Sequence, residues 1–333
     1  MEDFAWVPAD PRRRRFPSPL LTELLPAPSI TGAGAGESPL ITGIPPFDRS
    51  VLSWNGDGRW LLEMRLRLAG PSGGSLTPYY VLGVLDGALG RSASSTEAPR
   101  AISPPVALLV DTLVVKNGAV ATGFQVRATG AGNLRGLAVA HYRREDRRYT
   151  EGPAVPGAWG TALPVPERAQ RNVEEPEIGG EVCSPTSLGM VLEYHGSPYR
   201  TLDVARAVYD PETRLYGNWP CNTGAAARLL KGGGWSAVVK MTGFDGLERE
   251  IAARRPVVLS HRWERGDLRG APVSRSNGHL IVVTGFTKDG DLLVNDPAAR
   301  PGETRRVYLR RELFRTWQER GEGIAYLLHP LGR

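Results

Sequence analysis

Between residues 45 and 142 several segments carry apolar side chains at every second position, and nothing with a helical period interrupts them. In Trp60-Leu61-Leu62-Glu63-Met64-Arg65-Leu66-Arg67-Leu68, positions 60, 62, 64, 66 and 68 are all apolar, while Glu63, Arg65 and Arg67 stand between them. That alternation belongs to a strand with one buried face. Further strands are expected over 79–85, 107–115, 120–128 and 134–142, with Lys116-Asn117-Gly118 as a turn between two of them. A run of strands without helices predicts an all-β, sandwich-like domain over 45–142.

The flanking segments have another texture. Residues 1–44 are rich in Pro, Gly and Ser and are expected to be a disordered or loosely docked basic arm. Four arginines, Arg12 to Arg15, precede a short apolar stretch at Leu20–Leu25 that carries Glu23 and is bracketed by Pro19 and Pro26. That is too short and too polar for a secretion signal, so a cytoplasmic location is expected. Residues 143–162 are charged and then Pro/Gly-rich, and read as a linker.

From 163 to 333 helical and strand patterns mix, which predicts an α+β domain. Leu188, Val191, Leu192 and His195 recur at helical spacing and stop at Gly196, a residue suited to ending a helix. Other helices are expected over 202–209, 223–230, 245–254 and 310–318, and strands over 256–262, 279–286, 292–296 and 324–329. A chain of 333 residues is long enough for these two units.

Composition excludes more than it assigns. No apolar run approaches the ~18 residues of a membrane span. The net charge of +6 is modest, and acidic residues are interspersed among the 41 basic ones. No nucleic-acid partner is expected on that basis. The two cysteines, Cys183 and Cys221, can build neither a disulfide framework nor a metal cluster.

Three elements carry possible chemistry. In Glu181-Val182-Cys183-Ser184-Pro185-Thr186, Ser184 suits an N-cap and Pro185 a first helical residue, which puts Cys183 at the mouth of a helix. Free N–H groups and the helix dipole stabilise a thiolate there; a buried structural cysteine is the competing reading. His279 opens an apolar strand, and Asp296 closes the next. With a four-residue loop at 287–290, residue 279 faces 298, and Asp296 sits on the same face at diagonal distance. A three- or five-residue loop reverses that parity. Gln170 lies upstream of Cys183, where a side-chain amide can donate to a developing oxyanion, although most glutamines are merely solvated.

Taken together, LPVPERAQ, GGEVCSPTSLGMVL, YGNWPCNTGAAA, RPVVLS and SNGHLIVVTGFTKDGDLLVNDPAA resemble the bacteriocin-processing (double-glycine leader) peptidase-like family of papain-fold cysteine peptidases. The β-rich segment also resembles the region ahead of that domain in some bacterial members. The resemblance implies a papain-like domain with Gln170 as oxyanion donor, Cys183 as nucleophile, His279 as base and Asp296 as the residue that orients the base. Cys221 departs from the pattern, standing where a large apolar residue is expected, and reads as a buried bystander. No exporter domain is expected from this sequence, so the resemblance does not imply cleavage of leaders during export.

The function expected is a cysteine peptidase acting on peptide or protein, with no metal or organic cofactor. An acyltransferase or small-molecule amidase would use the same triad. A non-catalytic alternative is a carbohydrate or cell-wall binding protein with a decayed peptidase domain, using Trp54, Trp60, Tyr79 and Tyr80 as a stacking platform.

Overall fold

The computed structural model describes residues 22–25, 33–70, 74–87, 91–93 and 105–331, so most of the expected basic arm lies outside the described residues. Its first part contains β1 (Thr22–Leu25), β2 (Ala33–Glu37), β3 (Ile41–Phe47), β4 (Arg49–Leu68), β5 (Ser75–Leu76), β6 (Tyr80–Asp86), β7 (Arg91–Ala93), β8 (Val106–Leu109), β9 (Thr112–Val115) and β10 (Ala121–Tyr142). Among the described residues these ten strands form one antiparallel sheet.

The spine of the sheet is the β4–β10 ladder, which runs from Arg49 opposite Tyr142 to Leu68 opposite Ala121. At about 3.3 Å per residue a straight strand of this length would span about 66 Å. It does not stay straight. The Trp54 ring lies so close to Gly83, the partner of Leu62, that a methyl group on Gly83 would sit 2.7 Å from it. The ladder therefore bends between Trp54 and Leu62. Gly58 and Gly132 face each other at the bend with φ of +104° and +132°, a conformation that side chains with a Cβ resist. This bend brings both ends of β4 into one core with Phe47, Tyr80, Phe124 and Leu137.

Two sequence expectations are corrected here. The strands expected at 120–128 and 134–142 are one strand, β10, because the Gly-rich stretch between them carries the ladder around the bend instead of ending it. The strand expected over 107–115 is the hairpin β8–β9, with Val110 and Asp111 as its two-residue turn. Asp111 is a usual turn former, but Val110 is not, and it is held at φ +58°. The Asn117-Gly118 turn forms as its residues suggest, with φ of +59° and +72°.

The second part contains α1 (Cys183–Tyr194), α2 (Thr201–Val208), α3 (Trp219–Leu229), β11 (Gly234–Lys240), α4 (Phe244–Ala252), β12 (Val257–Trp263), β13 (Ser276–Phe286), β14 (Leu292–Asn295), β15 (Arg305–Tyr308), α5 (Arg310–Phe314) and β16 (Ile324–Pro330). Its six strands pair antiparallel in the order β11-β16-β12-β13-β14-β15. The molecule is thus sheet-rich α+β. Helix α1 is buried from Ser184 to Leu192, which is why its apolar residues fill every face instead of one stripe. It ends at Gly196, whose φ of +86° lets Ser197 N–H return to the Leu192 carbonyl.

Residues 148–163 lie against this second sheet. Glu248, fully buried, accepts hydrogen bonds from the backbone N–H groups of Ala154 and Val155, from Trp159 Nε1 and from Arg310. Buried charge survives only with such compensation.

The two sheets also touch directly. Asn55 on β4 acts as a surrogate strand residue: its Nδ2 donates to the Ser236 carbonyl at 3.0 Å and its Oδ1 accepts from Ser236 N–H at 2.7 Å. Ser53 Oγ accepts from Val238 N–H two residues along β11. Val51, Ala140 and Tyr142 share a small core with Val238 and Ile324. Trp54 reaches α3, where a Cβ on Gly224 would lie 2.5 Å from the indole Nε1.

Asn55→Ala leaves two buried backbone groups of Ser236 without partners. It is expected to lower the unfolding free energy by about 2–4 kcal/mol, measured by urea denaturation, and an unchanged midpoint would show that the seam carries no stability. Gly224→Ala, which forces a methyl group into the fixed Trp54 ring, should be comparably destabilising.

Candidate active site

Cys183 is the first residue of α1, with Val182 at its cap. The sequence placed Ser184 at the cap, and the structure moves the helix start two residues upstream. Ser184 Oγ is committed elsewhere: it donates to Asn222 Oδ1 on α3 at 2.8 Å and lies 3.2 Å from Tyr326 Oη on β16. These bonds fix the first turn of α1 against both neighbours. Ser187, one turn further, donates to the Leu280 carbonyl on β13, while the Leu280 N–H points at the Cys183 sulfur. One residue of β13 therefore clamps the helix that carries the thiol, next to His279.

The register of β13 and β14 decides where Asp296 falls. The loop between them is five residues long, 287–291, so Phe286 faces Leu292 and Gly285 faces Leu293. That loop alone would give the wrong parity. A bulge between Val283 and Gly285 shifts the ladder back by one, so that Val283 faces Val294 and Val282 faces Asn295. Extended three residues beyond the ladder's end, this register sets 279 opposite 298 and so His279 and Asp296 on one face. The sequence reached the correct face from a loop one residue too short, because the loop and the bulge cancel.

His279 Nε2 and Asp296 Oδ1 are 2.8 Å apart, and both side chains are almost wholly buried. With Nε2 occupied, Nδ1 is the ring nitrogen that remains for its hydrogen bond to Cys183. Asp296 accepts two further bonds, from the Ala298 N–H at 2.9 Å and from Tyr308 Oη at 2.6 Å. Tyr308 sits on β15, a strand the sequence did not suggest: Arg305-Arg306-Val307-Tyr308 offers only two apolar residues in a row. Trp263 sets its ring at 72° to that of His279, 5.6 Å between centroids, and is itself buried, which keeps water from the His279–Asp296 bond.

Opposing effects set the charges. Burial alone would push the Cys183 thiol up, but the hydrogen bond and positive charge of His279, with the N–H groups of Leu280 and Ser184, hold it below its ordinary value. Burial would drive the proton off His279, yet the Asp296 charge and hydrogen bond outweigh it and raise the imidazole to about 10. Asp296 is opposed by burial too and is held down at about 2, chiefly by His279. His261, opposite His279 on β12, goes the other way: burial and the neighbouring imidazolium lower it to about 3, so it is neutral. The arrangement favours a thiolate–imidazolium pair.

Gln170 stands on a short turn, buried, with its backbone N–H on the Pro297 carbonyl beside Asp296. Its Nε2 donates to the Gly179 carbonyl at 2.9 Å, not to anything on Cys183. Cys221 is buried in α3, and no disulfide joins it to Cys183. Of the aromatic platform suggested by the sequence, Trp54, Trp60 and Tyr80 are core residues, and Tyr79 packs beneath the guanidinium groups of Arg65 and Arg127. The four rings therefore form no stacking surface: strand alternation turned Trp54, Trp60 and Tyr80 inwards, and two arginines cover Tyr79.

Cys183 opens into a cleft of about 470 Å³ whose walls include Tyr216, Trp219, Leu280, His261 and Arg262. A chain of hydrogen bonds from carboxylate to imidazole to thiol, at the mouth of a cleft, is what nucleophilic acyl transfer requires.

Residues 162–324 match the sequence model of the Peptidase_C39 like family. The match supports a C39-like cysteine peptidase family. It covers just under half of the 333-residue chain, includes all four expected site residues, and leaves the ten-stranded sheet outside. It points to a peptidase, a hydrolase, and to a papain-like fold for this half. No curated protein matches the chain. Among the described residues no helix is long and apolar enough to cross a membrane.

The charge pattern is directly measurable. Thiolate absorbance of the native protein should titrate with a midpoint below that of an ordinary thiol. His279→Ala removes the hydrogen bond and charge that oppose burial, so the midpoint should rise above the ordinary value. A midpoint unmoved by that substitution would mean that the two groups are not paired.

Proposed function

We propose that the chain is a cysteine peptidase whose catalytic half spans residues 163–333, preceded by a β-rich unit over 45–142. The observation that carries this reading is the Cys183–His279–Asp296 hydrogen-bonded chain at the mouth of the cleft.

The thiolate of Cys183 attacks the carbonyl carbon of a peptide bond. The carbonyl electron pair moves onto oxygen, and His279 gives its proton to the departing amine as the C–N bond breaks. Water then donates a proton to His279 and adds to the thioester, releasing the acid and the thiolate. Asp296 holds the imidazole with Nδ1 towards sulfur and stabilises its charge. Gln170 is assigned to the oxyanion. One of its two amide hydrogens is used on Gly179, and the second is the candidate donor. The buried position of Gln170, beside the Asp296-Pro297 segment, supports that assignment.

Stopped-flow acylation with a peptide ester, run alongside thiolate absorbance, tests each role. Cys183→Ala should abolish turnover, and residual hydrolysis by that variant would sink the reading. Gln170→Ala should slow acylation by roughly ten- to a thousandfold while leaving thiolate formation intact; a wild-type rate would move the oxyanion donor elsewhere.

The pH profile has a definite sign. Activity needs the thiolate and the imidazolium together, so it rises as the thiol ionises and falls as His279 loses its proton. Asp296→Asn removes the charge that raises His279, so the alkaline limb should move to lower pH with a moderate loss of rate. An alkaline limb that stays in place would show that Asp296 does not set the charge of the base.

A further inference from the structure

Helix α3 begins at Trp219, and Trp219 forms part of one wall of the cleft at Cys183. The first backbone N–H groups of any helix have no partner within it. At α3 most of them are accounted for locally. Pro220 has no N–H, the Cys221 N–H is taken by Asn218 Oδ1, and the Asn222 N–H by the Asn218 carbonyl. The Trp219 N–H is satisfied from the other sheet: Asp111 Oδ2, at the turn of the β8–β9 hairpin, accepts it at 2.9 Å.

That contact is costly to build. Asp111 is 7% exposed, and burial pushes its carboxyl up to about 6 against the bonds from Trp219 N–H and Thr112. The turn that presents it holds Val110 at φ +58°, where glycine fits and a β-branched residue is strained. A two-residue turn calls for the positive φ, but closing a hairpin does not need a buried carboxylate.

A second stretch of the cleft lining has a looser tether. Arg262 lines the cleft, and its guanidinium is 3.9 Å from Glu322 Oε1. Glu322 Oε2 accepts from Tyr142 Oη at 3.0 Å, and Tyr142 is the last residue of β10 in the ten-stranded sheet. Gly321, next to Glu322, also lines the cleft. Both stretches are thus held by side chains that come from outside the family-matched half.

We propose that the β-rich half is part of the peptidase site. It sets these two stretches of the cleft lining, through Asp111 at Trp219 and through Tyr142 at Glu322, and so determines binding of an extended polypeptide that places a bulky apolar side chain in the cleft. The apolar character of Trp219, Tyr216, Leu215 and Leu280 around the cleft gives the chemistry of that side chain. Asp111 and Tyr142 are positioning residues that touch neither the nucleophile nor the scissile bond. The proposal rests on the cysteine-peptidase reading, and its test separates the two.

The test measures inactivation of the full-length protein by two electrophiles that share the thiol target. Iodoacetamide needs no cleft, whereas an acyl-dipeptidyl fluoromethyl ketone ending in Phe must fill it. Asp111→Ala and Tyr142→Phe should each raise KI for the peptidyl reagent about tenfold or more while changing kinact by less than about threefold, the split expected when ground-state binding is lost. Asp111→Asn keeps an acceptor for the Trp219 N–H and should restore KI to near wild type.

If Asp111→Ala does not fold, Tyr142→Phe, which removes one hydroxyl, decides the question. Wild-type KI in either folded variant overturns the proposal, as does Asp111→Asn behaving like Asp111→Ala. A Cys183 that reacts with neither reagent faster than an ordinary thiol would instead bring down the peptidase reading itself.

Discussion

A carboxylate with no exposed surface is the constraint on which the site depends. Asp296 is 0% exposed, and a buried charge of this kind is tolerated only when its lone pairs are fully engaged. The partners come from three places: His279 on β13, the Ala298 N–H just beyond β14, and Tyr308 on β15. Burying that one group therefore demands that three consecutive strands share a single register. The same charge keeps His279 protonated against its own burial, and His279 in turn keeps the Cys183 thiol ionisable. The order of dependence runs from the interior outwards to the nucleophile.

The alternation of sign is maintained by what surrounds it. His261 lies across from His279 on β12, with ring centroids 5.7 Å apart, and a second positive charge there would compete for Asp296. It is kept neutral by burial and by His279, with Nδ1 3.3 Å from Thr316 Oγ1. Two histidines side by side in one sheet thus carry different charges, and the difference comes from which of them has the carboxylate. Trp263 packs against both rings, tilted 32° to His261 and edge-on to His279.

The ten-stranded sheet obeys a different constraint, that of length. A ladder of this extent cannot bury one face unless it turns on itself, and the Gly58–Gly132 pair allows it to do so. The turned ladder then offers Ser53, Asn55 and Trp54 to β11 and α3, where polar side chains replace missing strand partners. Such a seam is specific in a way that an apolar contact is not, because a shifted docking would strand buried backbone groups.

What the sequence determined was local and periodic. Alternation at 60–68 specified a strand, the apolar run before Gly196 specified α1 and its end, and Cys183 before Ser-Pro specified a thiol at a helix mouth. The pairing of His279 with Asp296 was also reached, although through a loop and a bulge whose errors offset each other. Tertiary structure decided the rest. Tyr308 has no periodic signal, since its role depends on β15 pairing with β14, and Ser187, Leu280 and Trp263 look like ordinary core residues until β13 lies beside α1. Asp111 reads as one polar residue inside an apolar run. Only the docking of a hairpin against the start of α3, 108 positions along the chain, makes it the acceptor for an otherwise orphaned helix N–H. Periodicity reports which face of an element is buried, whereas a hydrogen bond between distant elements depends on a register that no local pattern encodes.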